Sequence, residues 1–293
     1  RSTRLPRAIR DVYKRQILFF AMLLTQKRSL FTVAGYKFLG ISLPRLRDLA
    51  PILVIWGIAI VIMGISNDFG PALLLFSTVL GMLFMATNRV SWLLIGVILV
   101  GIGGFGIYQV SEKIQQRFSN FLDPLANYDS TGYQLSQALF GMSSGGITGT
   151  GLGQGHPDMV PVAHSDFILA GIGEEFGLVG LAAVLVLFAM LVSRGFRTAL
   201  TCRDTYGKLV SSGLALTLAV QVFVVTGGIS ALLPMTGLTT PFMSAGGSSL
   251  MANYMLLAIL LRISNAARRP ARELSSNAPT DTSMFPAVQE AIR

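Results

Sequence analysis

Charge is scarce in this 293-residue chain, where Asp, Glu, Lys and Arg make up 13% of the residues. An ordinary soluble domain carries about a quarter. So few charged side chains cannot cover a water-facing surface, which excludes a soluble globular domain as the main body. Cysteine is nearly absent. A single residue, Cys202, cannot form an intramolecular disulfide and reads as a bland small side chain. The two histidines, His156 and His164, have no metal-ligand spacing with other His or Cys, so no zinc site is expected. Nor do strands alternate with helices, as they would in a soluble α/β domain of this length. Long apolar runs stand in their place, and 52% of all residues are hydrophobic.

The net charge of +9 does not point to nucleic acid. Lys and Arg sit in short clusters between apolar runs, the pattern of a membrane protein oriented by its loops. Six full spans are expected, at 50–66, 69–87, 91–110, 167–193, 209–229 and 246–263. Each is about as long as a bilayer-crossing helix needs to be. The expected fold is therefore an all-α polytopic membrane protein with six full spans, a partial one and a long outer loop. Gly96, Gly101, Gly103, Gly104 and Gly106 fall inside one span, where small residues let helices approach closely.

Residues 1–16 (RSTRLPRAIRDVYKRQ) read as a leader foreign to the rest, because 11–16 resembles the translated read-through of a sequencing-library adapter. On that reading 17–25 is the end of a span whose beginning is missing. A membrane domain then occupies 17–269. Residues 270–293, rich in Ser, Ala and Pro, are expected to form a disordered cytoplasmic tail.

Orientation follows from Lys and Arg. Segment 26–49 carries Lys27, Arg28, Lys37, Arg45 and Arg47; segment 194–208 carries Arg194, Arg197, Arg203 and Lys208. More cations follow the last span, and Arg89 marks a short turn. These segments are expected in the cytoplasm. Alternation then puts 67–68, 111–166 and 230–245 outside, where Lys113 and Arg117 are outnumbered by Asp68, Glu112, Asp123, Asp129, Asp158 and Asp166.

The outer segment 111–166 is too long for a simple connection, and long ordered loops are usually functional. Residues 133–141 are amphipathic, and a Gly/Ser/Thr-rich stretch follows them. The glycines around 145–153 could cradle a phosphate, but without a strand–turn–helix context they equally make a tightly turning loop. Asp166 stands at the expected start of span 167–193, where it could serve chemistry or cap the helix. Glu174 and Glu175 lie about 11–13 Å further along that expected helix. Acids inside a span are costly, and suggest a functional site or polar glue between helices. Arg117 could hold a salt bridge or, through its planar fork, a phosphate.

Five motifs together resemble the shape, elongation, division and sporulation family: residues 132–137 (GYQLSQ), 149–153 (GTGLG), 161–168 (PVAHSDFI), 173–177 (GEEFG) and 236–249 (TGLTTPFMSAGGSS). The resemblance runs from about residue 17 to 269. Residues 43–50 and 121–124 look most like the actinobacterial RodA branch. It implies a ten-helix membrane fold lacking its first helices here. It also implies a peptidoglycan glycosyltransferase that polymerises lipid II at the outer face of the bacterial cytoplasmic membrane, beside a class B penicillin-binding protein. The family's catalytic aspartate falls on Asp166, and its further site positions on Asp158 and Arg117. Gln134, Gln137, Ser248 and Ser249 are candidates for substrate or pyrophosphate contact. A divalent cation, Mg2+ or Mn2+, is a possible cofactor. Ser165 stands where the family usually has Thr, and Ala245 where Tyr is common.

The implied reaction suits such a site. A carboxylate can take the proton of an attacking sugar hydroxyl, and Arg or a divalent cation can neutralise a leaving pyrophosphate. A lipid II flippase and a non-enzymatic scaffold for a penicillin-binding protein are the alternatives. The charge pattern predicts that, in the full-length protein with Cys202 replaced, a cysteine at Ser144 reacts with an impermeant thiol reagent in intact cells. One at Thr205 stays unlabelled; labelling at Thr205 alone reverses the orientation.

Overall fold

Long apolar runs satisfy their backbone hydrogen bonds within a membrane by coiling into α-helices, and the computed structural model is built of them. It describes residues 69–268 without a gap, and before them residues 18, 21–22, 24–25, 37–38, 41–42, 54 and 57–58. The helices are α1 (Phe69–Thr87), α2 (Ser91–Val110), α3 (Glu112–Leu122), α4 (Tyr133–Gly145), α5 (Ile168–Glu175), α6 (Gly177–Thr201), α7 (Thr205–Ile229) and α8 (Gly247–Arg268). Among the described residues the β structure is one antiparallel pair, β1 (Lys37–Phe38) with β2 (Ile41–Ser42). Residues 1–16 and 270–293, and most of the expected span 50–66, lie outside the described residues; positions 54, 57 and 58 are helical.

Five of the described helices are long and apolar enough to cross a membrane: α1, α2, α6, α7 and α8. α1 and α2 coincide with the expected spans 69–87 and 91–110. α7 begins four residues earlier than expected because Asp204 caps it, its carboxylate accepting from the Gly207 N–H. α7 is also the central helix. It is 72% buried, with α1, α6 and α8 packed around it, whereas α6 is 11% buried. The exposed face of α6 carries Leu178, Val179, Val186 and Leu187, a surface suited to hydrocarbon.

Two apolar cores stack along the bundle. One joins Leu83, Trp92, Leu209, Leu214 and Leu260, and takes in Ala21 and Leu24. The other joins Leu74, Leu135, Phe167, Leu169, Val224 and Leu238 beneath the long loop. Between lipid-bathed helices close packing and polar contacts, more than the hydrophobic effect, hold such cores. Gly96 admits the Leu80 side chain as expected, but Gly101, Gly104 and Gly106 face open space instead of a neighbouring helix. Buried hydroxyls of Thr78 and Thr217 pair at 3.2 Å and tie α1 to α7.

The expected span 167–193 is not one helix. α5 ends at Glu175 and α6 starts at Gly177, whose φ of +66° turns the chain sharply. A break leaves carbonyls orphaned on one side and N–H groups on the other. Residues 146–151 satisfy both. The N–H groups of Thr150 and Gly151 donate to the carbonyls of Glu174 and Glu175, each at 3.0 Å. The carbonyls of Gly146 and Ile147 accept from Leu178 and Val179 at 2.9 and 3.1 Å. The glycine-rich stretch therefore clamps a helix break, the turning-loop reading, and its phosphate-cradle reading gives way.

Gly149 is the tightest point of the clamp. Its φ is +86°, and a Cβ there would collide with the Glu175 carbonyl and the Gly177 nitrogen. Gly146 is also left-handed, at φ +55°, but has open space around it. Gly146→Ala should therefore cost only the backbone strain, about 1–2 kcal/mol. Gly149→Ala should lower the melting temperature of the detergent-solubilised full-length protein clearly further. Equal shifts for the two variants would remove the clamp.

Candidate active site at the loop end of the bundle

Segment 111–166 is mostly ordered by its own helices. α3 carries Ile114 and Phe118 on one face, four residues apart and so adjacent on a helix. That face turns toward α2, where Tyr108 meets Phe118 edge to face at 5.6 Å. Arg117 is held at this boundary, half-buried. The amphipathic stretch 133–141 becomes α4, which packs against α5. A 3-10 turn at Pro157–Met159 leads to the 161–166 turn and Asp166.

The ends of three segments expected on the same side of the membrane meet here. Gly70, at the start of α1, lies against Thr236 and Leu238. Arg117 Nη1 donates to the Thr236 carbonyl at 3.1 Å. The Ala245 N–H donates to the His164 carbonyl at 2.8 Å. Gly237, at φ +70°, is the meeting point: a Cβ there would sit 3.2 Å from Arg117 Nη2 and 3.7 Å from Asp166 Oδ2. The guanidinium and the carboxylate thus both lie against Gly237, in the space that a side chain there would enter.

Asp166 is half-buried, and its Oδ1 accepts the Ser165 hydroxyl. It is not the N-cap of α5. Phe167 holds that position, and no side chain caps it. The other expected site residues are spread more widely. Asp158 is exposed on the 3-10 turn. Gln134 donates to the Pro161 carbonyl at 2.6 Å and so braces the turn that ends in Asp166. Gln137 donates to the Tyr128 hydroxyl at 2.8 Å, beside the packed rings of Tyr128, Tyr133 and Phe140. Ser248 is half-buried in the first turn of α8, while Ser249 is buried with its hydroxyl 2.9 Å from that of Thr239.

Glu174 and Glu175 finish α5 rather than continuing inside a span. Glu174 is 6% exposed. Its Oε1 accepts the His156 N–H at 2.7 Å, and Gly141 and Gly155 leave room for the carboxylate. Glu175 Oε1 accepts the Gly153 N–H at 3.2 Å. Both acids organise the chain that leads to Asp158 and Asp166. Cys202 stands apart, at the end of α6; burial pushes its thiol up, and the nearby Asp204 adds to this against a hydrogen bond with Ser211.

Among the described residues no group of three or more His, Cys, Asp or Glu side chains could hold a metal ion. They do not build a metal cage from protein ligands alone. Next to Arg117 lies an apolar cavity of about 530 Å³, lined by Gly101, Gly104 and Phe105 of α2, Ile114 of α3, and Met235. Gly101 and Gly104 border it without side chains of their own.

The Glu174 contact yields a direct check. Removing a buried acceptor leaves the His156 N–H unpaired, at a cost of about 1–3 kcal/mol. Glu174→Ala should speed hydrogen exchange across residues 150–156 by about tenfold, the equivalent of about 1.4 kcal/mol. Glu174→Gln keeps a carbonyl acceptor and should exchange close to the wild type. Unchanged exchange in the Ala variant would show that this carboxylate does not hold the loop.

The profile of a family of cell cycle proteins, that of FtsW, RodA and SpoVE, matches residues 15–269. The chain is 50% identical over 276 residues to the peptidoglycan glycosyltransferase RodA of Mycobacterium bovis, covering 94% of this chain and 59% of that protein. It is 52% identical over 261 residues to RodA of Mycobacterium leprae, covering 89% and 56%. The chain thus spans less than two thirds of the length of these curated relatives. A solved structure on the coordination of polymerization and crosslinking by a peptidoglycan synthase complex shares the fold, with a TM-score of 0.64 at 22% identity over 90% of this chain and 87% of that one. A mutant of the rod shape determining protein RodA of Thermus thermophilus gives 0.56 at 23% identity, over 88% and 67%. With five motifs in order and this extent of similarity, the chain belongs to the FtsW/RodA/SpoVE family of membrane proteins.

Proposed function

We propose that the full-length protein is a peptidoglycan glycosyltransferase, which polymerises lipid II into β-1,4 glycan strands at the outer face of the bacterial cytoplasmic membrane. The observation that carries this reading is the convergence of Asp166 and Arg117 on Gly237, in a relative half identical to proteins named for that activity. A base and a phosphate-binding cation are the two groups such a transfer needs. Asp166 accepts the proton of the acceptor sugar's hydroxyl as its oxygen attacks the anomeric carbon of the donor. A carbon–oxygen bond forms, and the bond from that carbon to the diphosphate oxygen breaks. The electron pair leaves with the polyprenyl diphosphate, whose charge Arg117 meets through its bidentate fork. Single displacement turns an α-linked donor into a β linkage.

The apolar cavity beside Arg117 suits the isoprenoid carbons next to a diphosphate. A divalent cation would arrive with the diphosphate oxygens, as Mg2+ commonly does with phosphates. A class B penicillin-binding protein is the expected partner, in keeping with the solved complex that couples polymerization to crosslinking. The long segment 111–166 faces outward and the end of α8 faces the cytoplasm, in accord with the Lys and Arg distribution. A flippase has less support. Thr78, Thr217 and Gln221, buried in the described bundle, are bonded to protein partners rather than lining an open path.

Asp166→Asn tests the proposal, since it keeps size and removes the base. As Asp166 does not cap α5, the variant should fold, insert and bind its partner. Lipid II polymerisation by the full-length protein should fall about 10²-fold or more, the usual scale for a general base. A rate near wild type would take Asp166 out of the reaction.

A further inference from the structure

The middle of α7 is apolar except for Thr217 and Gln221, and Gln221 is 2% exposed. An amide buried in an apolar interior is costly unless it is hydrogen-bonded. Gln221 Nε2 donates to the Thr239 carbonyl at 2.8 Å, a bond from the central helix to the chain between α7 and α8. The same residue is gripped from α8, through the contact of its hydroxyl with Ser249. Thr240 N–H closes the local turn by donating to Ser244 Oγ at 2.7 Å.

This chain segment carries the floor of the candidate active site. Three residues before Thr239, the Thr236 carbonyl accepts from Arg117. Gly237 lies between, against both Arg117 and Asp166. Beyond it, Ala245 is bonded to the turn that ends in Asp166. A short segment, left-handed at Gly237 and fixed at Thr239, transmits that fix to Thr236, because little chain separates them. We infer that Gln221 is a positioning residue: from inside the bundle, its amide sets the place of the 236–240 segment, and with it the place of Arg117 against Asp166. The catalytic consequence rests on the function proposed above; the structural one does not.

Variants of the full-length protein in proteoliposomes test this. Gln221→Met keeps length and removes the amide. Thr217→Val, one turn away on the same helix, removes a buried hydroxyl contact that does not touch the segment. Hydrogen exchange over 234–246 should rise about tenfold in Gln221→Met and stay at wild type in Thr217→Val. With lipid II, kcat should fall about tenfold in Gln221→Met with KM little changed, while Thr217→Val turns over normally. If Gln221 acts through Arg117, adding Gln221→Met to Arg117→Lys should cost less than the product of the two single effects. Should the Met variant not be recovered folded, Gln221→Asn carries the same comparisons, since its amide falls one methylene short of Thr239. Unchanged exchange over 234–246, or fully multiplicative losses in the double variant, would overturn the inference. A wild type that does not polymerise lipid II would refute the proposed function instead, and the exchange comparison would still decide the role of Gln221.

Discussion

The mutual hydrogen bonding between residues 146–151 and the break at Phe176 is the constraint on which the loop end of the bundle depends. Without it, the last carbonyls of α5 and the first N–H groups of α6 would be unpaired in an apolar setting. With it, a helix of eight residues can stop inside the fold and hold its own direction. Asp166 stands two residues before that helix, so the clamp at one end of α5 fixes the carboxylate at the other. The carboxylates of Glu174 and Glu175 extend the same logic to Gly153 and His156, and so to the turn that carries Asp158.

Elsewhere in the bundle, three pairs of interior polar groups answer one another. Thr78 meets Thr217, Gln221 meets Thr239, and Thr239 meets Ser249. Such contacts are individually modest, about 0.6 kcal/mol on average between membrane helices. Their value is directional. Apolar packing leaves neighbouring helices free to slide by small amounts, whereas an amide and a carbonyl meet in one register. The two groups placed at the proposed chemistry, Arg117 and Asp166, come from different segments. They depend on such register to stay beside Gly237.

Much of the architecture was legible in the sequence because apolar runs of the right length leave few alternatives. The spans that became α1 and α2 were placed to the residue. The break in 167–193 was hidden. Its apolar content is continuous, and Gly177 looks like any glycine in a membrane helix; the usable signal was two acids immediately before it, paired with glycines at 149, 151 and 153. α3 was also passed over, although Ile114 and Phe118 carry helical spacing. Asp166 and Arg117 were singled out as candidates in the sequence. Gly237 lay inside the 236–249 motif without being singled out, since a missing side chain has no pattern of its own, and Gln221 differs from its neighbours only as one amide in an apolar run.

The broken helix also bears on how the chain enters its membrane. At 1.5 Å per residue α5 is about 12 Å long, far short of the roughly 30 Å hydrocarbon layer. α6, at 25 residues, is long enough to cross that layer by itself, so the span does not need α5. The clamp residues emerge from the ribosome before either helix does. Their hydrogen-bond partners, at Glu174, Glu175, Leu178 and Val179, come later in the chain. The clamp can therefore close only once the start of α6 has been made, and the site at Gly237 only once the chain between α7 and α8 has followed.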